Sequence, residues 1–153
     1  MTFYTWMLAL HLLSVFAIAS ALVLYSVLVV AGQRTTTLEE TRLLFRVAPV
    51  ATPLIGAGSA LALIFGVILA FDEYKIWNGW IVAAIVLFAL LGAAGQRTGS
   101  YYTKIQKRAE AGDTGAEQEV LAGLKAPMGP LLHAATVGIF VLILLDMLFK
   151  PGA

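Results

Sequence analysis

The chain has 153 residues, 60% hydrophobic and only 12% charged, with a mean hydropathy of +0.89, whereas a soluble domain carries about 25% charge. A formal net charge of +1 excludes the strong basic field of a nucleic-acid-binding protein. The absence of cysteine excludes disulfides, iron–sulfur clusters and thiolate metal sites.

Four apolar runs, approximately 4–30, 53–71, 77–96 and 131–149, are each near the 20 or so helical residues that cross a bilayer. They predict an all-α, multi-pass membrane protein built as a four-helix bundle. The first run is about 27 residues, or roughly 40 Å, so it must tilt or protrude. It is too long for a signal-peptide core and has no Lys or Arg before it, so it reads as retained rather than cleaved. It carries His11 and, at i+3 on the same face, Ser14.

The connection that follows holds Arg34, Arg42 and Arg46. Within it, Thr37-Leu-Glu-Glu40 has the spacing of a capping box and opens a short amphipathic stretch toward Val47. Thr52-Pro53 offers an N-cap and a first-position proline for the second span. In that span Gly58, Ala62, Gly66 and Ala70 recur every four residues. Small residues at this spacing let helix backbones approach closely in lipid, either against the protein's own helices or across a dimer face. The third span offers a weaker counterpart at Ala89, Gly92 and Ala93.

Residues 97–128 read as a helical hairpin outside the membrane. One short helix runs from Ser100 to about Ala111 and ends at Gly112; the second is capped by Thr114 with Glu117 and stops before Pro127. Its mixed charges fit a solvated face or a partner-docking surface. The fourth span contains His133 near its start, beside Pro130, and Asp146 near its end, and is stopped by Pro151 and Gly152. Lys150 precedes a proline, which biases it out of helical geometry, so it is expected to snorkel to the headgroups and not to bridge Asp146.

Loop charges predict the orientation. Arg34, Arg42, Arg46, Arg97, Lys104, Lys107, Arg108 and Lys125 lie on one side, against Lys75 and Lys150 on the other. The positive-inside rule places the first set in the cytoplasm and both termini outside. Trp6, Trp77 and Trp80, with Tyr4 and Tyr74, then form an outer interfacial belt, and Tyr101 and Tyr102 mark the inner boundary.

Ionisable groups within membrane spans are the default functional candidates. Here they are His11, His133 and Asp146. The two histidines are expected to be roughly 15 Å or more apart along the membrane normal. Two ligands of one iron need nitrogens only about 4 Å apart, so a shared bis-histidine haem is not expected. His11 and Asp146 do share a depth. Such a pair can orient an imidazole for a metal or haem, relay a proton, or stitch two helices together. His133, at the interface, reads as a solvated or capping residue. Ser14 with His11 and Asp146 lacks a nucleophile turn and an oxyanion donor, so no catalytic residue is assigned. No phosphate-cradling glycine loop is present, and intramembrane charge is sparse for a transporter, the third class considered.

Two stretches carry a resemblance. LALHLLSVFAIASALVL and DMLFKPG are similar to the first helix and the ending of the bacterial four-helix integral membrane family related to the CopD copper-resistance domain and the HemJ-type proteins. The resemblance implies a four-helix bundle in the bacterial cytoplasmic (inner) membrane, and makes His11 the match to a first-helix histidine used around haem. Two departures stand out. HemJ-type proteins carry a further histidine just past the first helix, where this chain reads VVAGQR, and copper handling would call for more than four Met and two His.

The reading that follows is a non-catalytic accessory or scaffold subunit, in contact with lipid and packing against other membrane subunits or a second copy through the second span. The alternative is a haem- or metal-binding redox protein using His11, with Asp146 as its orienting partner.

Overall fold

The computed structural model describes residues 2–73, 78–112 and 115–151. Tyr74, Lys75, Trp77, Thr114 and Gly152 therefore lie outside the described residues. Among those described, every regular element is helical: α1 (Phe3–Arg34), α2 (Leu38–Val47), α3 (Ala51–Glu73), α4 (Gly79–Ala111), α5 (Ala116–Lys125) and α6 (Met128–Phe149), with one 3₁₀ turn at Ala48–Val50. Four helical segments are long and apolar enough to cross a membrane. Their exteriors are rich in large apolar side chains, such as Phe16 at 68% exposure and Leu148 at 73%, as a lipid-facing surface requires.

The helices pack as two antiparallel pairs, α1 with α3 and α4 with α6. Ile18, Leu22, Ala62, Leu91, Phe140 and Ile143 fill the seam between the pairs. Among the described residues, packing between α1 and α6 is light and that between α3 and α4 is lighter still. A second core lies at the basic end, where Phe45 of α2, Ile105 and Ala109 of α4, and Val120 and Leu124 of α5 come together.

Local chemistry explains most boundaries. The capping box before α2 forms: Thr37 Oγ1 accepts from Glu40 N at 3.2 Å, and Glu40 Oε2 accepts from Thr37 N at 3.3 Å. Gly112, at φ 68°, takes the left-handed position after α4.

Other boundaries depart from the sequence reading. The third span does not stop near Gln96 with a new helix at Ser100; α4 runs unbroken to Ala111. Residues 97–111 contain no proline and favour helix, so the change at residue 96 is one of polarity and not of backbone. At 33 residues α4 is about 50 Å long, well beyond the roughly 30 Å of hydrocarbon, and its last turns extend past it. Likewise α3 begins at Ala51, continuing from the 3₁₀ turn, and Thr52 is not its N-cap; the Thr52 hydroxyl meets Tyr25 Oη at 3.2 Å instead. The last helix begins at Met128, three residues early, because Pro130 falls in its first turn, where a missing N–H costs nothing.

Candidate functional site

The ridge of small residues on α3 faces α1. A side chain at Gly58 would meet the Ser14 carbonyl and Ile18 at 3.1 Å, so the two backbones touch there. At Gly66 a Cβ would lie 3.0 Å from His11 Cε1 and 3.3 Å from Nδ1. Glycine at this position makes room for the imidazole. One turn earlier, the Ala62 carbonyl lies 2.9 Å from His11 Nδ1. A carbonyl can only accept, so Nδ1 carries the proton and the neutral ring keeps its lone pair on Nε2. Nε2 makes no hydrogen bond among the described residues, although His11 is only 8% exposed.

The expected partnership of His11 with Asp146 does not form. No hydrogen bond or ion pair joins them, and the orienting partner of His11 is the Ala62 carbonyl. His11 turns toward α3, the main partner of α1, while Asp146 belongs to the α4–α6 pair. Asp146 Oδ2 is shut off from solvent and has no hydrogen-bond partner among the described residues. Lys150 does not bridge it; its backbone N–H donates to the Asp146 carbonyl at 2.9 Å, in a left-handed turn at φ 43°. The Lys150 ammonium sits 5.5 Å above the Trp80 ring, a cation–π contact where snorkelling was expected.

His133 also departs from its expected place. It is 7% exposed, and its Nε2 lies 2.8 Å from Ser26 Oγ on α1. The Ser26 hydroxyl donates to the Leu22 carbonyl at 2.9 Å, so with its one proton spent there it accepts from His133 Nε2–H. One turn along α6, Thr136 Oγ1 meets Thr98 Oγ1 of α4 at 3.1 Å. The two histidines thus serve different contacts, α1 to α3 and α1 to α6. Nothing in their residue types predicted that Ser26 would draw His133 inward; the i+3 spacing of His133 and Thr136 was the available signal.

Ser26, His133, Thr98 and Thr136 stand beside a cavity of about 460 Å³ between the two helix pairs at their basic end, with His133, Thr98 and Thr136 in its wall. Its cause is geometric. Gly95 and Gly99 of α4 line it, and a side chain at either would meet nothing within 4 Å. Across the gap, α3 supplies only Thr52 and Ile55. The weaker small-residue set on the third span is equally open, since a Cβ at Gly92 would touch nothing. Thus α3 meets its neighbour α1 tightly, whereas the small face of α4 looks onto empty space.

No protein-family model, curated protein or solved structure matches the chain. The site must therefore be read from its own chemistry. No group of three His, Cys, Asp or Glu residues that could hold a metal ion occurs among the described residues. A closed metal site does not fit these donors. His11 would be the residue to hold a metal-bearing group singly, because its Nδ1 is held by a carbonyl as in many ligating histidines and Nε2 is left without a hydrogen bond among the described residues.

Proposed function

We propose that this protein is a non-catalytic accessory or scaffold subunit of a larger assembly in the bacterial cytoplasmic membrane, with its basic end in the cytoplasm. The observation that carries the reading is the helical platform at that end. There α2, the last turns of α4, and α5 share a core, while Leu43 and Val47 of α2 and Val50 beside them remain exposed. Exposed apolar side chains on an otherwise charged helical face are what a docking surface offers. The interior supports the same reading, because both histidines and the Thr98–Thr136 pair are engaged in holding helices together.

The test is the size of the native particle in mild detergent, measured by light scattering on protein drawn from its own membrane. A complex well above the 16.3 kDa chain, dissolved by Leu43→Glu with Val47→Glu, is the expected result. A monodisperse single chain, or a complex indifferent to those changes, overturns the reading. A C-terminal alkaline phosphatase fusion tests orientation, since activity requires the terminus to be outside.

One observation favours a second reading, the Nε2 of buried His11, which makes no hydrogen bond among the described residues. If the relation to HemJ-type proteins holds, His11 would hold haem through Nε2, with the Ala62 carbonyl fixing its ring. A stoichiometric visible absorption band, lost in His11→Ala, supports this reading; colourless wild-type protein purified from haem-replete cells removes it.

A further inference from the structure

The cavity at the basic end has a neighbour that shares part of its lining. Phe45, Pro49 and Gln106 line it and also line a second cavity of about 410 Å³, whose wall includes Arg42 and Arg46. The inner compartment has apolar walls from Leu22, Val29, Ile55 and Phe45, and His133 is its only ionisable lining residue besides tyrosine. The outer compartment is different. Arg42 and Arg46 stand one helical turn apart on α2, so both guanidinium groups reach the same mouth. Arg42 is held in place by donating from Nε to the Ala109 carbonyl at 2.9 Å, which leaves its remaining N–H groups available. Arg46 is exposed and makes no hydrogen bond or ion pair among the described residues. Glu110 is the one acid at the mouth, and its carboxylate accepts from Gln106 at 2.9 Å.

We propose that the two compartments form one binding site for an anionic membrane lipid, with an acyl chain in the inner cavity and the phosphate at Arg42 and Arg46. Because α3 and α4 are not closely packed, the route we assign to the chain is between them, from the hydrocarbon. The volume lies within the range of small-molecule pockets. Planar guanidinium forks match a phosphate, and basic pockets between membrane helices on the positive side hold anionic headgroups. The hydroxyls of Thr98 and Thr136 stand at the glycerol-facing or chain-facing wall without adding charge. This site is independent of the scaffold reading and of His11.

Native mass spectrometry of delipidated protein tests it, with dioleoyl phosphatidylglycerol, dioleoyl phosphatidylcholine and inorganic phosphate as probes. The expected result is one bound phosphatidylglycerol, preferred over phosphatidylcholine by about tenfold, the scale of one hydrogen bond to a charged group. Arg46→Gln abolishes that preference while phosphatidylcholine binding stays as it was. Ile55→Trp, which fills the inner cavity, lowers the occupancy of both lipids. Equal binding of the two lipids by the wild type overturns the proposal, as does a preference that survives Arg46→Gln. Thermal stabilisation by inorganic phosphate alone, equal to that by phosphatidylglycerol, overturns it in favour of a simple anion site. Should Ile55→Trp fail to fold, the wild type and Arg46→Gln decide the matter, since exposed Arg46 makes no hydrogen bond or ion pair among the described residues.

Discussion

The two histidines divide the molecule into two kinds of membrane interior. Around His11 the contact between α1 and α3 is close enough that even a methyl group at Gly66 would press on the ring. Around His133 the helices are held apart and joined by hydroxyl contacts beside open volume. Both are buried to the same degree, so burial does not distinguish them. What differs is the partner helix. A small residue every fourth position lets one backbone settle on another, whereas on α4 the glycines have no helix opposite. The lesson is that a small-residue face has no fixed meaning until its partner is known.

The comparison is broken most severely at Gly66. Gly66→Leu forces the imidazole from its seat and is expected to cost about 3 kcal/mol, combining overpacking with a lost hydrogen bond. Unfolding of the purified protein in mixed micelles measures it; wild-type stability in this variant would mean that α1 and α3 do not meet as described. A smaller effect follows for His11→Ala, about 1–2 kcal/mol in the same assay, because the Ala62 carbonyl is left with its own helical hydrogen bond. At the other histidine, His133→Ala is expected to cost about 0.6 kcal/mol, the average for a single interhelical link in a membrane protein. If His133→Ala costs as much as His11→Ala, the contrast between a packed and an open region collapses. Finally, Asp146→Leu is expected to leave stability unchanged or raise it by about 1 kcal/mol, since Oδ2 has no partner to lose. A clear loss of stability there would reveal an interaction of Asp146 outside the chain described.

Much of this architecture was legible in the residues. Four spans, the capping box at Thr37 and Glu40 and the stop at Gly112 follow from local rules that hold whatever the partner, whereas the small-residue face of α3 marks a packing face without naming the helix opposite. The failures share one cause. Distance from the helix end, which the sequence encodes through helix rise, pairs His11 with Asp146, but azimuth around a helix depends on which neighbours pack most tightly. Gly66 and Ala62 claimed His11 through contacts more than fifty positions away, a separation no periodicity reveals. His133 was judged by its distance from the helix end, when Ser26 decided its burial. The cavity was invisible for a related reason, because a void is defined by side chains that fail to meet.

The unbroken course of α4 has a mechanical consequence. A helix of this length without a hinge transmits tilt as a lever does: a rotation of about 5° about its membrane end displaces the far end by roughly 4 Å. Arg42 is fastened to that far end through the Ala109 carbonyl. A tilt of α4 would thereby pull on α2 at the basic end.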